Sequence, residues 1–72
     1  MDAEAHITGT VWKVKVVIGQ TVRTGDPLVI LESMKMEIPV EAPCDGVISA
    51  ICVREGEAVM EGNPVARITV TA

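Results

Sequence analysis

"GTVWKVKVVIGQTVRTGDPLVIL", Gly9 to Leu31, lies in register over "GVISAICVREGEAVMEGNPVARI", Gly46 to Ile68, at a constant offset of 37 residues (46 − 9). Gly9 matches Gly46, Val16 matches Val53, Gly19 matches Gly56, Val22 matches Val59, Gly25 matches Gly62 and Pro27 matches Pro64. Asp26 over Asn63 and Leu31 over Ile68 are near matches. Glycines and prolines dominate the identities, so what repeats is a backbone path rather than a generic apolar pattern. Gly19 and Gly56 each follow a strand-like run and can adopt the positive φ of a tight reversal at low cost. Gly25-Asp26-Pro27 and Gly62-Asn63-Pro64 mark a second turn, where the proline biases the residue before it towards extended backbone. Each half, about 9–32 and 46–69, reads as strand, turn, short strand, turn, strand.

Within the first strand, Trp12, Val14 and Val16 alternate with Val11, Lys13, Lys15 and Val17, which predicts the first set buried and the second outward. The offset places Ile51 and Val53 on the buried face and Cys52 on the outer one. The apolar residues are mainly Val and Ile, with one Trp and no Phe or Tyr, a composition suited to pleated strands. No segment has sustained helical periodicity with caps. A chain of 72 residues is one domain, residues 1–72, and hides only about 60% of the surface its unfolded form exposes. Two β units that cannot bury their apolar faces alone can do so against each other. The expected fold is all-β: a flattened sandwich or barrel of two small antiparallel sheets, six to eight short strands, with approximate two-fold symmetry.

Ten acidic residues against six basic ones give a net charge of −4, which disfavours nucleic acid and anionic membrane as partners. Met-Asp-Ala-Glu-Ala lacks the start of a signal peptide, and no apolar run is long enough to span a bilayer, so a cytoplasmic protein is expected. Met1 and the absence of an Ala/Pro-rich linker favour a complete protein over an excised domain. Cys44 and Cys52 are expected to be free thiols, and with His6 as the sole histidine and no Cys-x-x-Cys no metal is assigned.

Between the halves the strand Leu28 to Ser33 must reverse into Glu37-Ile38-Pro39-Val40-Glu41, with Ile38 and Val40 inward and Pro39 implying an edge or a bulge. The reversal is Met34-Lys35-Met36, which puts Lys35 at the tip of a hairpin. A free lysine is a poor nucleophile at neutral pH unless it is buried or beside another cation. Presented on a rigid turn, though, its amine can accept an acyl group from a separate enzyme that supplies activation and deprotonation. Met34 and Met36 offer that enzyme adaptable contact surface. Glu32, Glu37 and Glu41 read as a collar near the hairpin that aids docking to a basic partner, with Glu32, Ser33 and Glu37 the docking candidates.

"ESMKMEIPVEAPCDG" resembles the attachment motif of the biotinyl/lipoyl attachment domains, through Met34, Lys35 and Met36 and then Ala42, Pro43 and Gly46. With "VWKVKV" and "GDPLVILESMKMEIPV", the likeness extends from Thr8 to Val70 and is nearest to the small stand-alone biotin/lipoyl attachment proteins. It implies a barrel-sandwich hybrid fold with the modified lysine on a protruding turn. A biotin protein ligase would transfer biotin from biotinyl-adenylate to Lys35, and the carrier, a monomer and not itself an enzyme, would take carboxybiotin from a biotin carboxylase site to a carboxyltransferase site. Ser33 stands where many such carriers have alanine, and a small side chain is kept. The short Gly19 to Gly25 connection leaves no room for the extra "thumb" loop of some bacterial acetyl-CoA carboxylase carriers.

Two other readings remain open. Lipoyl domains share the fold but usually place an acidic residue before the lysine and a small one after it, whereas methionine stands at both places here. Lipoate on Lys35 would link the chain to 2-oxoacid dehydrogenases or glycine cleavage. An unmodified hybrid barrel could serve as a structural or interaction module, but such a module has no need of a Met-Lys-Met tip.

Overall fold

The computed structural model of the chain describes residues 1–71. Eight strands run in the order β1 (Asp2–Glu4), β2 (Gly9–Val14), β3 (Thr21–Val22), β4 (Pro27–Ser33), β5 (Met36–Glu41), β6 (Gly46–Ile51), β7 (Ala58–Val59) and β8 (Pro64–Val70). They form two four-stranded antiparallel sheets, ordered β1-β8-β6-β3 and β5-β4-β2-β7. The all-β two-sheet fold is therefore as expected, and the 37-residue offset carries one sheet order onto the other.

Hydrogen bonds across the halves obey the same symmetry. Gly19 N–H donates to the Ile48 carbonyl and Gly56 N–H to the Val11 carbonyl, both at 2.7 Å; Ala42 N–H donates to Asp26 and Ala5 N–H to Asn63, both at 2.8 Å. The short strands are exchanged: β7 of the second half completes the sheet of β2, and β3 of the first completes that of β6. Each half therefore satisfies its backbone groups only in the other's presence, which makes folding of the pair concerted. The core between the sheets comes from both halves, with Leu28, Val29 and Leu31 against Ile48, Val65 and Ile68, all essentially inaccessible.

Strand β1 lies outside the repeat read from sequence. It is the counterpart of β5, with Ala3 and Val40 both buried, but Asp2-Ala3-Glu4 and Pro39-Val40-Glu41 share only their glutamate. Pro39 lies on β5, an edge strand, as its missing N–H requires.

The face assignment in β2 needs correction. Val11 is 1% exposed and Trp12 is 44% exposed, the reverse of the simple alternation. The register against β4 slips between Val11, opposite Leu31, and Lys13, opposite Ile30, so Trp12 is the extra residue of a bulge. Beyond it Val14 is half-buried and Val16 buried. The matching slip in β6 lies between Ile48 and Ala50, and it leaves Ile51 half-buried instead of buried, with Cys52 exposed and Val53 buried. A two-residue period cannot register an inserted residue.

The link between the halves is tied by Asp45, whose Oδ1 accepts from the Thr24 N–H at 2.8 Å and the Thr24 hydroxyl at 3.0 Å. These bonds, backbone first, hold the carboxyl below the usual aspartate range against an opposing effect of desolvation, with the Arg23 charge adding least. A carboxyl lowered on folding stabilises the fold above its unfolded pKa, and that contribution is lost as pH falls through the lowered value. Asp45→Asn is accordingly expected to have a shallower acid-unfolding curve than the parent below about pH 4, measured by circular dichroism; superimposable curves would contradict the assignment.

Candidate functional site

β4 and β5 pair without a gap from Val29 opposite Val40 to Ser33 opposite Met36. Two residues are left to close the hairpin, so the reversal expected over Met34-Lys35-Met36 is made by Met34 and Lys35, and Met36 opens β5. Met34 has φ 52° and Lys35 φ 65°, the only non-glycine residues with positive φ among those described. Two consecutive left-handed residues characterise the type I′ hairpin turn, whose twist matches the flanking strands and which favours Asn-Gly. Met-Lys there costs about 1–2 kcal/mol per residue. The ladder below, with Leu31 and Val40 buried in the core, forces the reversal. Nothing in the residue types signals this strain.

The turn projects its side chains outward. Met34 is 92% exposed and Met36 61% exposed, and Lys35 is exposed with its amine free of hydrogen bonds and ion pairs to any described residue. One step down the hairpin, Glu32 and Glu37 stand directly opposite each other, both exposed, while Ser33 is half-buried. Like charges opposed across a ladder are unfavourable. Glu41 is not part of this group: it lies at the other end of β5, opposite Pro27, about 14 Å of strand from Glu37 at ~3.4 Å per residue.

The remaining candidates fall elsewhere. Val70 pairs with Gly46, and Met1 exchanges hydrogen bonds with Ile68, so Met1 and Val70 lie beyond the Pro27–Glu41 end of the hairpin, away from Lys35. The domain measures 37 × 17 × 17 Å, and the turn caps one end. Cys44 is half-buried, Cys52 is exposed and both are free. No cluster of three metal-ligating side chains occurs among the described residues, and no helix among them is long and apolar enough to cross a membrane.

A family model described as "Biotin-requiring enzyme" matches residues 2–68. The chain belongs to the biotin/lipoyl family. Within the family it is a domain of the biotin carboxyl carrier type, a carrier rather than a catalytic unit. It is 52% identical over 64 residues to the biotin-dependent acyl-coenzyme A carboxylase alpha3 subunit of Mycobacterium leprae, covering 89% of this chain and 11% of that one. It is 40% identical over 63 residues to the biotin/lipoyl attachment protein of Bacillus subtilis, covering 88% of this chain and 86% of that one. The crystal structure of Kluyveromyces lactis urea carboxylase contains a similar fold, with TM-score 0.91 and 33% identity over 96% of this chain and 6% of that one. The chain thus spans a small fraction of the carboxylases it resembles and most of the length of the Bacillus subtilis attachment protein.

The strained turn yields an expectation for stability. Met34→Asn should raise stability by about 0.5–1 kcal/mol, since asparagine tolerates the left-handed region better. Denaturant unfolding would read the effect; a destabilised variant would show that Met34 is not strained.

Proposed function

We propose that the chain is a biotin carrier in which Lys35 is acylated by a biotin protein ligase and the loaded domain moves a carboxyl group between a biotin carboxylase site and a carboxyltransferase site. The observation that carries this reading is the left-handed Met34-Lys35 turn, which holds an unpartnered amine at the extremity of a rigid two-sheet body. An acyl acceptor needs that presentation and little else. The site fits biotin: the amine is exposed, and the flanking methionines leave it open to an incoming adenylate.

In the attachment step the Lys35 nitrogen attacks the acyl carbon of biotinyl-adenylate, the amide C–N bond forms, the C–O bond to AMP breaks, and AMP leaves with the bonding pair. The lysine ammonium gives up two protons in all, the first to a base of the ligase. Bound biotin supplies a ureido nitrogen that takes up and releases a carboxyl group. The chain's own residues do the rest: Lys35 tethers, the β4–β5 ladder sets the direction of the tether, and Met34, Met36 and Ser33 shape the contact with the ligase. Holding the carrier within a complex would make both encounters effectively intramolecular. A cytoplasmic monomer suits a carrier that visits two sites.

Glu32 and Glu37 are proposed to steer the ligase, since their mutual repulsion is relieved when a basic surface arrives. Glu32→Lys and Glu37→Lys should each lower kcat/KM for biotinylation about tenfold at low salt, a difference that shrinks as salt rises. Equal rates across salt concentrations would remove them from docking. The function itself is tested by the intact mass of the chain after incubation with biotin ligase, ATP and biotin, and separately with lipoate ligase and lipoate, with peptide mapping around Lys35. A biotinyl increment on Lys35 is expected. A lipoyl increment alone would make the chain a lipoyl carrier, and no increment from either would leave a structural module.

A further inference from the structure

The internal two-fold makes each sheet a control for the other. On the outer face of the sheet that carries the turn, one row runs from Pro39 to Ile30 and, across the bulge, to Trp12 and Lys13. Shifting each by 37 gives the matching row of the other sheet, where Arg67 pairs with Asp2 on one side and with Ala50 on the other, beside the bulged Ser49. The chemistry of the two rows is opposite. In the second, Arg67 Nε donates to Asp2 Oδ1 at 3.1 Å and Ser49 Oγ donates to the Arg67 carbonyl at 3.2 Å, a polar and internally satisfied surface. In the first, Trp12 and Pro39 are exposed and Ile30 is half-buried, with only the Lys13 ammonium above the Trp12 ring, 5.6 Å from its centroid.

Since the same backbone accepts Ser, Arg and Asp at these positions, neither the bulge nor the ladder demands Trp, Ile and Pro. An exposed tryptophan in an apolar row is costly to leave in water and is characteristic of an interface anchor. The apolar row lies on the sheet of Lys35, three residues down β4 from Ser33, about 10 Å along the strand. Between row and turn stand Glu32 and Glu37, charges that lack a cation among the described residues.

We infer that the Trp12–Ile30–Pro39 row is the docking face for the enzyme that acylates Lys35, and that this enzyme offers an apolar patch bordered by lysine or arginine side chains to meet Glu32 and Glu37. This rests on the carrier reading above. The acylating enzyme is the occupant that fits because it must bring its active site to an amine that extends only one side chain from the turn, and so must cover the hairpin's own surface. Sites that meet the loaded arm can stand farther off.

The test is steady-state biotinylation of the full chain in which the row is replaced by its two-fold counterparts, Trp12→Ser, Ile30→Arg and Pro39→Asp together, with Trp12→Ser alone in case the triple variant does not fold. KM is expected to rise tenfold or more in the triple variant and several-fold in the single one, with the loss in KM rather than kcat, and Arg67→Gln on the opposite sheet should leave KM where it was. As a second readout, the single tryptophan is replaced by 5-fluorotryptophan, and its 19F resonance should shift on adding ligase to the Lys35→Arg chain. An unchanged KM in a folded variant, or an unmoved resonance under saturating ligase, overturns the docking face while leaving the carrier reading intact. A resonance that shifts with the chain's own concentration, without ligase, overturns it in favour of self-association. Absence of biotinylation in the parent chain overturns the carrier reading itself.

Discussion

Lys35→Arg is expected to fold as the parent does and to take up no detectable biotin, a loss of at least a hundredfold in modification rate. Arginine keeps the charge and length of the side chain and meets the same left-handed backbone at position 35, so neither the turn nor the Ser33–Met36 closure should change. What changes is the chemistry of the nitrogen. A guanidinium stays protonated at any pH the ligase tolerates and has no lone pair to attack an acyl-adenylate. The chain's other lysines, Lys13 and Lys15, lie on and just after β2 in extended backbone, away from any hairpin tip, and should not substitute. Intact mass together with circular dichroism checks both halves of the expectation. A biotinyl increment on the arginine variant would move the site elsewhere and dismantle the carrier reading at its centre.

Gly46→Val should abolish biotinylation by a different route, through loss of the fold. Gly46 is buried on β6, between Val70 of β8 and Val22 of β3. A Cβ there would overlap the Thr69 carbonyl and the Ile68 side chain. The carbonyl is held in the β6–β8 ladder and cannot withdraw without breaking it, so the cost should be about 3 kcal/mol or more. A domain of this size is stable by only about 4–11 kcal/mol, and valine's branches enlarge the overlap. Gly62→Ala offers the contrast: nothing lies within 4 Å of a Cβ there, but φ is +91°, so only backbone strain of about 1–2 kcal/mol is expected. Urea unfolding monitored by circular dichroism would rank the two. A Gly46 variant as stable as Gly62→Ala would show that β6 and β8 can part locally within their sheet, and close packing at Gly46 would be ruled out.

Much of this was legible in the chain itself. The 37-residue repeat of glycines and prolines carries the two-sheet fold, because turn residues act locally and their spacing survives translation into backbone geometry. Gly19, Gly25, Gly56 and Gly62 all take φ near +90°. The exposed lysine at the end of a hairpin was legible for the same reason, since a strand that must return within a few residues has only Met34 to Met36 in which to do so.

Other features depended on tertiary structure. Trp12 faces water because a bulge against Ile30 shifts its phase, and a bulge is a property of two paired strands that one strand's period does not contain. Strand β1 exists because β8 offers it an edge, although its residues barely repeat those of β5. Glu41 left the acidic group and Glu32 and Glu37 became partners once the register of β4 on β5 was known. The opposed chemistry of the two outer faces lies at symmetry-related positions that are brought into correspondence only by the pairing of the strands. Local backbone preference is written residue by residue, and the sequence by itself therefore determined the turns, the all-β class and the lysine. Register, bulges and faces arise from pairing between residues distant in the chain, and those only the tertiary structure decided.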